Sequence, residues 1–291
     1  MHLTSPIAQL VRQMTRNHLA TDYYINLNQL FMVEKLNIAV IQTNISWENP
    51  SFNLKEYTRT IKTIDKNPDA ILLPEMFNTG FSMNTKKTAE EMSGKTVSWM
   101  KETALKHKTP IAGTLAIKEG GSFYNRLVWV NPDQSIKYYD KRHCFSHADE
   151  DRFFKKGKKQ IIIELKGWKI FPQICYDLRF PVWSRNTMRY DVAIYLANWP
   201  DVRISAWDTL LKARAIENLA FSIGVNIVGS DPNKNKYTGH SCAFDPYGKK
   251  ISKDLKEKKG VLYVGLERKK LTKVRNDLKF LEDSDEFLLK L

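Results

Sequence analysis

From Leu36 onward the chain alternates between two hydrophobic rhythms. Short apolar, β-branched runs read as buried strands: Leu36–Thr43, Ala70–Pro74, Pro110–Ile117, Tyr124–Val130, Ser135–Asp140, Ile161–Leu165, Trp168–Ile174, Tyr190–Ala197 and Ile223–Gly229. Between them, Phe52, Leu54, Tyr57, Ile61 and Ile64 recur at near-helical spacing and predict an amphipathic helix. Met92–His107 predicts a second helix, stopped before Pro110, and Ile204–Ser222 a long third one. Glu119-Gly120-Gly121, Asn131-Pro132-Asp133 and Gly167 mark tight turns. Strand–helix–strand units mixed with hairpins predict an α/β fold, a mixed sheet covered by helices.

No linker, repeat or low-complexity segment interrupts this pattern, so residues 33–291 read as one domain with a C-terminal tail. The tail after Asp277 carries Phe280, Leu281, Phe287 and Leu288 and is expected to dock on the body or on a second subunit. Residues 1–32 lack the periodicity of the rest and read as an N-terminal extension, with Met32 standing just before the first strand. They show no basic stretch followed by a long apolar core, so they do not read as a secretory signal.

Composition narrows the class. Hydrophobic residues form 42% of the 291 and charged residues 27%, a balance that excludes intrinsic disorder. No apolar run approaches the ~20 residues of a membrane span. Three cysteines are too few, and odd in number, for a secreted disulfide framework; they read as reduced thiols of a cytoplasmic protein. The net charge of +14 raises nucleic acid as a partner. But residues 249–275 hold eleven Lys/Arg against three Asp/Glu, so more than half of the excess sits in one stretch. That reads as a basic solvated edge, and no nucleic-acid-binding module accompanies it.

Three reactive residues stand at strand ends: Glu75 after AILLP, Lys141 after IKYYD and Cys175 after WKIFPQI. Open α/β sheets place ligands where strands end and loops begin. A thiol with an ordinary pKa near 8.5 is mostly protonated at neutral pH and needs a base. Glu75 is the candidate base, if burial raises its pKa. Lys141 is the candidate to stabilise the thiolate and the oxyanion of a tetrahedral intermediate, with the Tyr176 N–H as a second oxyanion donor.

LLPEMFNTGF, YDKRHCF and ICYDLRFPVWSR resemble the glutamate, lysine and cysteine motifs of the nitrilase (carbon–nitrogen hydrolase) superfamily. The likeness runs from Leu36 to about Val264; CYDLRFPVWSRN, ANWP and LLKARAIEN resemble the ω-amidase (2-oxoglutaramate amidase) branch. The resemblance implies an α-β-β-α sandwich that forms a homodimer. It implies no cofactor and no metal. It implies ammonia release from the ω-amide of a small 2-oxo acid through a cysteine thioester, with deaminated-glutathione amidase, carbamoylase and nitrilase activities open as alternatives. Glu75 becomes general base, Lys141 transition-state stabiliser, Cys175 nucleophile, and Glu150, seven residues before Gly157, an orienter or auxiliary base. Asn198, Trp199 and Pro200 are expected on the pocket floor, Phe81 and Tyr124 as walls. Arg203, then Arg185, is expected to bind a substrate carboxylate, whereas Arg179 is expected to pair with Asp177 or another acid and Arg214 with Glu217 as structure. Cys144, where relatives often carry leucine, reads as apolar filler, and His143 as a brace for the loop after Lys141.

Rival readings are weaker. Papain-like chemistry needs a histidine aimed at Cys175, and only His240 offers one. A metal site from His143, Cys144 and His147 overlaps the lysine motif and lacks a fourth ligand. A non-enzymatic nucleic-acid-binding protein would show retention that weakens steeply with salt.

Overall fold

The computed structural model describes residues 33–290; the extension expected over residues 1–32 lies outside them. Two sheets stack face to face, and helices cover the outer face of each, as the expected α-β-β-α sandwich requires. The six-stranded sheet contains β1 (Lys35–Gln42), β2 (Ala70–Leu72), β3 (Ile111–Glu119), β4 (Ser122–Val130) and β5 (Ile136–Asp140) in that order. The five-stranded sheet begins with β6 (Ile163–Leu165), β7 (Trp168–Ile174), β8 (Val192–Leu196) and β9 (Phe221–Val225). β10 (Val228–Ser230) and β11 (Lys236–Thr238) form a separate hairpin. β12 (Cys242–Phe244) then pairs with β9 at one edge of the second sheet, and β13 (Gly260–Glu267) with β1 at one edge of the first.

The period-2 alternation of strand side chains builds the layers. In β1, Leu36, Ile38 and Val40 enter the core between the sheets, while Ala39 and Ile41 face the outer helices. In the second sheet, Ile170, Ile174, Val192 and Ile194 point into the same central core, and Phe171, Ala193 and Tyr195 point outward. Both faces of these strands are apolar, which is why they read as continuous hydrophobic runs.

Helix α1 (Pro50–Lys62) covers the first sheet with Tyr57 and Ile61. Pro50 opens it, and Asn49 Oδ1 accepts a hydrogen bond from the Phe52 N–H at 3.2 Å. Phe52, expected on the buried face, is 49% exposed. Asn53 takes that face instead, because its amide bonds the backbone of Ser46 and Asn78. Helix α2 (Lys95–His107) lies beside α1 and ends on Lys108 in the left-handed region, φ 52°. Helix α3 (Ile204–Glu217) packs Trp207, Leu211 and Ala215 on the second sheet.

α3 stops five residues before the expected Ser222. The side chain of Asn218 turns back to donate to the Arg214 carbonyl at 3.0 Å, and Leu219 adopts φ 41°. The apolar residues that seemed to prolong the helix are β9. The tail after helix α4 (Arg268–Asp277) is docked at Leu281, which packs on Leu219 and Val274; Phe287 and Leu288 face solvent.

Candidate active site

The topology brings the three reactive residues to one place. β2 and β3 are parallel, and β3 and β5 are each antiparallel to β4, so β2, β3 and β5 run in one direction. Glu75 and Lys141 therefore leave the same end of the first sheet. β7 and β8 are parallel, so Cys175 and Asn198 leave one end of the second.

Glu75, Glu150 and Lys141 form a buried cluster at most 1% exposed. Lys141 Nζ donates to Glu75 Oε1 at 2.8 Å and to Glu150 Oε2 and Oε1 at 2.9 and 3.1 Å. Asn125 Nδ2 donates to both carboxylates, at 2.8 Å to Glu75 and 2.9 Å to Glu150. The Thr114 hydroxyl fixes that amide by donating to Asn125 Oδ1 at 2.8 Å. Glu75 Oε2 accepts from the Asn198 N–H at 3.0 Å, and Asn198 Nδ2 donates to the Glu75 carbonyl at 2.7 Å. Glu150 Oε2 accepts from the Phe145 N–H at 2.5 Å. Burial alone would lower the pKa of Lys141, but the charges of Glu150 and Glu75 outweigh it and hold the ammonium protonated. Burial raises the Glu150 carboxyl; Lys141 pulls it back and Glu75 pushes it up further.

Cys175 opens a short 3₁₀ helix, Cys175–Arg179, with φ 43°, an uncommon conformation for a non-glycine residue. Burial is the main reason its thiol lies well above the ordinary cysteine range. The Glu75 charge adds to the rise, and Lys141 opposes it without prevailing. Lys141 is thus committed to two carboxylates, and the resting site holds a protonated thiol. The Tyr176 N–H lies in the first turn of the 3₁₀ helix, where backbone donors lack helical acceptors.

The thiol opens on a cavity of about 300 Å³. Phe81, Phe145, Tyr176, Trp199 and Tyr237 line it as aromatic walls, and Asn198, Pro200, His147, Asn233 and Asn235 complete it. Phe81 lies 5.1 Å from the Lys141 ammonium, ring centroid to Nζ. Tyr124 is not part of this cavity. Strand alternation sends Asn125 to the cluster and its neighbour to the opposite face, where Tyr124 meets Arg126 in a separate depression.

Two arginines line the cavity. Arg203 lies over the Phe145 ring at 5.1 Å and Arg179 over the Trp199 ring at 4.9 Å. Among the described residues neither has a carboxylate within ion-pair range. The expected Arg179–Asp177 pair does not form, because Asp177 is occupied by Tyr139, His143 and the Ile174 N–H. Arg185 donates to the Glu217 carbonyl at 2.6 Å, and Arg214 pairs with Glu217 at 2.8 Å; both brace α3. His240 bonds Asp208, away from Cys175. Cys144 is buried with its Sγ 3.6 Å from the Phe154 carbonyl, so His143, Cys144 and His147 do not converge. Among the described residues no group of three or more His, Cys, Asp or Glu side chains forms a metal-ligand set, and no helix is long and apolar enough to cross a membrane.

Asn125, which bonds both carboxylates, is not legible as a site residue from the sequence. It stands beside Arg126 in the mixed half of β4, SFYNR, where nothing sets it apart from a surface polar residue.

The chain belongs to the carbon–nitrogen hydrolase family: residues 37–276 match the family model described as "Carbon-nitrogen hydrolase". It is therefore an enzyme of the class that cleaves carbon–nitrogen bonds with water. Among its relatives, omega-amidase YafV of Yersinia enterocolitica is 38% identical over 87% of this chain and 98% of its own length. A 2-oxoglutaramate amidase of Bacillus subtilis is 35% identical over 86% of this chain and 97% of its own. A CN-hydrolase superfamily protein of Xanthomonas campestris, solved with an arsenic adduct in its active site, superposes with a TM-score of 0.86. It is 36% identical, and the match covers 89% of this chain and 100% of that one.

Proposed function

We propose that this enzyme is an ω-amidase, hydrolysing the terminal amide of a small 2-oxo acid such as 2-oxoglutaramate to ammonia and the dicarboxylate. One observation carries the reading. The cavity lined by the Cys175 thiol also presents Arg179 and Arg203, cations that no described carboxylate neutralises. A substrate with an amide at one end and a carboxylate at the other matches both halves. The omega-amidase and 2-oxoglutaramate amidase relatives, matched over nearly their full lengths, support the same substrate class.

In the proposed sequence of steps, Glu75 takes the Cys175 proton as the sulfur attacks the amide carbon. Lys141 Nζ and the Tyr176 N–H hold the oxyanion of the tetrahedral intermediate. Glu75 passes its proton to the leaving nitrogen, ammonia departs, and an acyl thioester remains. Water then gives a proton to Glu75 and its oxygen to the thioester carbon. Collapse releases the carboxylic acid and returns the proton to sulfur. Glu150 and Asn125 fix the ammonium and the base in register. The proposal includes a cytoplasmic homodimer, supported by exposed Val182, Phe280 and Phe287; equilibrium sedimentation should show twice the chain mass.

The test is a panel of 2-oxoglutaramate, 2-oxosuccinamate, a neutral aliphatic amide, a nitrile and an N-carbamoyl amino acid, read as released ammonia. The 2-oxo ω-amides should give the highest kcat/KM, and Cys175→Ala should release none. A preference for the nitrile or the carbamoyl compound would overturn the substrate assignment.

A further inference from the structure

Asp177 is fully buried, yet no step above uses it. Its carboxylate collects four hydrogen bonds. Oδ1 accepts from the His143 N–H at 3.0 Å and from His143 Nδ1 at 2.8 Å; Oδ2 accepts from the Tyr139 hydroxyl at 2.8 Å and the Ile174 N–H at 3.1 Å. The His143 backbone N–H and ring Nδ1 both face Oδ1, and the tautomer with its hydrogen on Nδ1 completes the four donors.

The donors come from two segments on different sheets. Tyr139 and His143 flank Lys141 at two residues on either side, in and after β5. Ile174 ends β7 and immediately precedes Cys175. One carboxylate therefore ties the backbone that carries the ammonium to the backbone that carries the thiol. A second set of contacts repeats the link. The His143 ring stacks on Phe180 at 3.6 Å with the planes 6° apart, and Trp183 Nε1 donates to the Tyr139 hydroxyl at 3.0 Å. Phe180 and Trp183 both follow the cysteine turn. The positive φ of Cys175 is costly and persists only where neighbouring structure enforces it.

We propose that Asp177 and His143 are positioning residues for hydrolysis, setting the separation and orientation of the Lys141 ammonium and the Cys175 thiol across the two sheets. The inference rests on the reading of those two groups as oxyanion donor and nucleophile. It goes beyond the expectation that His143 merely braces its own loop, because the bond reaches the nucleophile's turn. A misplacement of about 1 Å at a reacting centre costs on the order of a hundredfold in rate, so the link belongs in kcat and not in KM.

The experiment compares His143→Leu, His143→Asn and Asp177→Asn with the parent enzyme. kcat is expressed per titratable Cys175 thiol; KM, the iodoacetamide reaction rate of Cys175 and the thermal midpoint are measured beside it. His143→Leu removes the donor to Asp177 and should lower kcat about tenfold or more at nearly constant KM, with slower thiol alkylation. His143→Asn restores an N–H near the Nδ1 position and should recover kcat to within about threefold of the parent. Asp177→Asn should lower kcat further; should it not fold, the histidine pair decides alone. A role confined to stability would lower the thermal midpoint of both histidine variants alike and leave kcat per thiol within about twofold of the parent, and that result overturns the proposal. Cys175→Ala separates this from the broader reading. Turnover in that variant would remove the nucleophile assignment itself, whereas an inactive Cys175→Ala beside a fully active His143→Leu would remove only the positioning role.

Discussion

At the scale of single residues, the central feature is one ammonium held between two buried carboxylates, next to a thiol that stays protonated at rest. An isolated cation beside Cys175 would favour the thiolate; here burial, with the Glu75 charge added, outweighs it, and in the proposed steps proton transfer accompanies attack. Glu75→Gln keeps the shape and the Asn125 contact but removes the base. It should lower kcat per folded molecule by about 10²–10⁴; near-parental turnover would remove Glu75 from the reaction. The two arginines are proposed to meet the carboxylate end of the substrate. Arg203→Ala or Arg179→Ala should raise KM for 2-oxoglutaramate about tenfold or more, the worth of a charge-assisted hydrogen bond, and change a neutral amide little. Equal effects on both substrates would show that these guanidiniums shape the wall without binding carboxylate. Arg203 was legible from its place after ANWP. Arg179 was not, because a charge two residues from an aspartate looks like a local pair, and only the fold reveals that Asp177 is already saturated.

At the scale of elements, strand-end geometry decides which residues meet. β5 must end so that Lys141 points inward, and Gly157 secures this. Its N–H donates to the Lys141 carbonyl at 2.8 Å, and a Cβ there would stand 2.0 Å from the Asp140 carbonyl oxygen. Gly157→Ala should therefore push the β5 end aside and cut kcat about tenfold or more even in the fraction that folds. Activity per folded molecule equal to the parent would show that the loop absorbs the clash without moving the lysine. Element existence was readable from period-2 and 3.6-residue patterns, and the hairpin at Gly120-Gly121 from its turn residues. Boundaries failed where apolar runs continue across a change of structure. Leu219 to Ser222 looks like more of α3 until Asn218 turns back on its own helix and the chain crosses into β9. Tyr124 was misplaced for a related reason: adjacent strand positions face opposite sides, and the sequence does not say which side holds the site.

At the scale of the whole molecule, the double-sheet core buries thiols and phenols in their neutral forms. Burial pushes the thiols of Cys144 and Cys242 up to about 12, and raises Cys175, Tyr57, Tyr139, Tyr190 and Tyr195 well above or above their ordinary values. Each folded-state value exceeds its unfolded one, so the unfolded chain loses these protons first as pH rises. The stabilisation is complete below the unfolded pKa values and declines as pH climbs through the range between about 8.5 and 12. The thermal midpoint should be nearly flat from pH 7 to about 8.5 and fall steeply above it; a midpoint unchanged to about pH 11 would contradict this. The sandwich was legible mainly through the three motifs, since alternating strands and helices alone predict only a mixed covered sheet. The pairing of sheets that joins Lys141 to Cys175 is a long-range fact that no local pattern carries.

The covalent step at Cys175 is the most direct test of the proposed thioester route. Enzyme mixed with 2-oxoglutaramate and quenched in acid within one turnover should carry the substrate's acyl group on the peptide containing Cys175, and on neither Cys144 nor Cys242. Cys175→Ala treated identically should carry none. Full turnover with no acyl group on Cys175 at any quench time, or an adduct that survives the Cys175→Ala substitution, would contradict it.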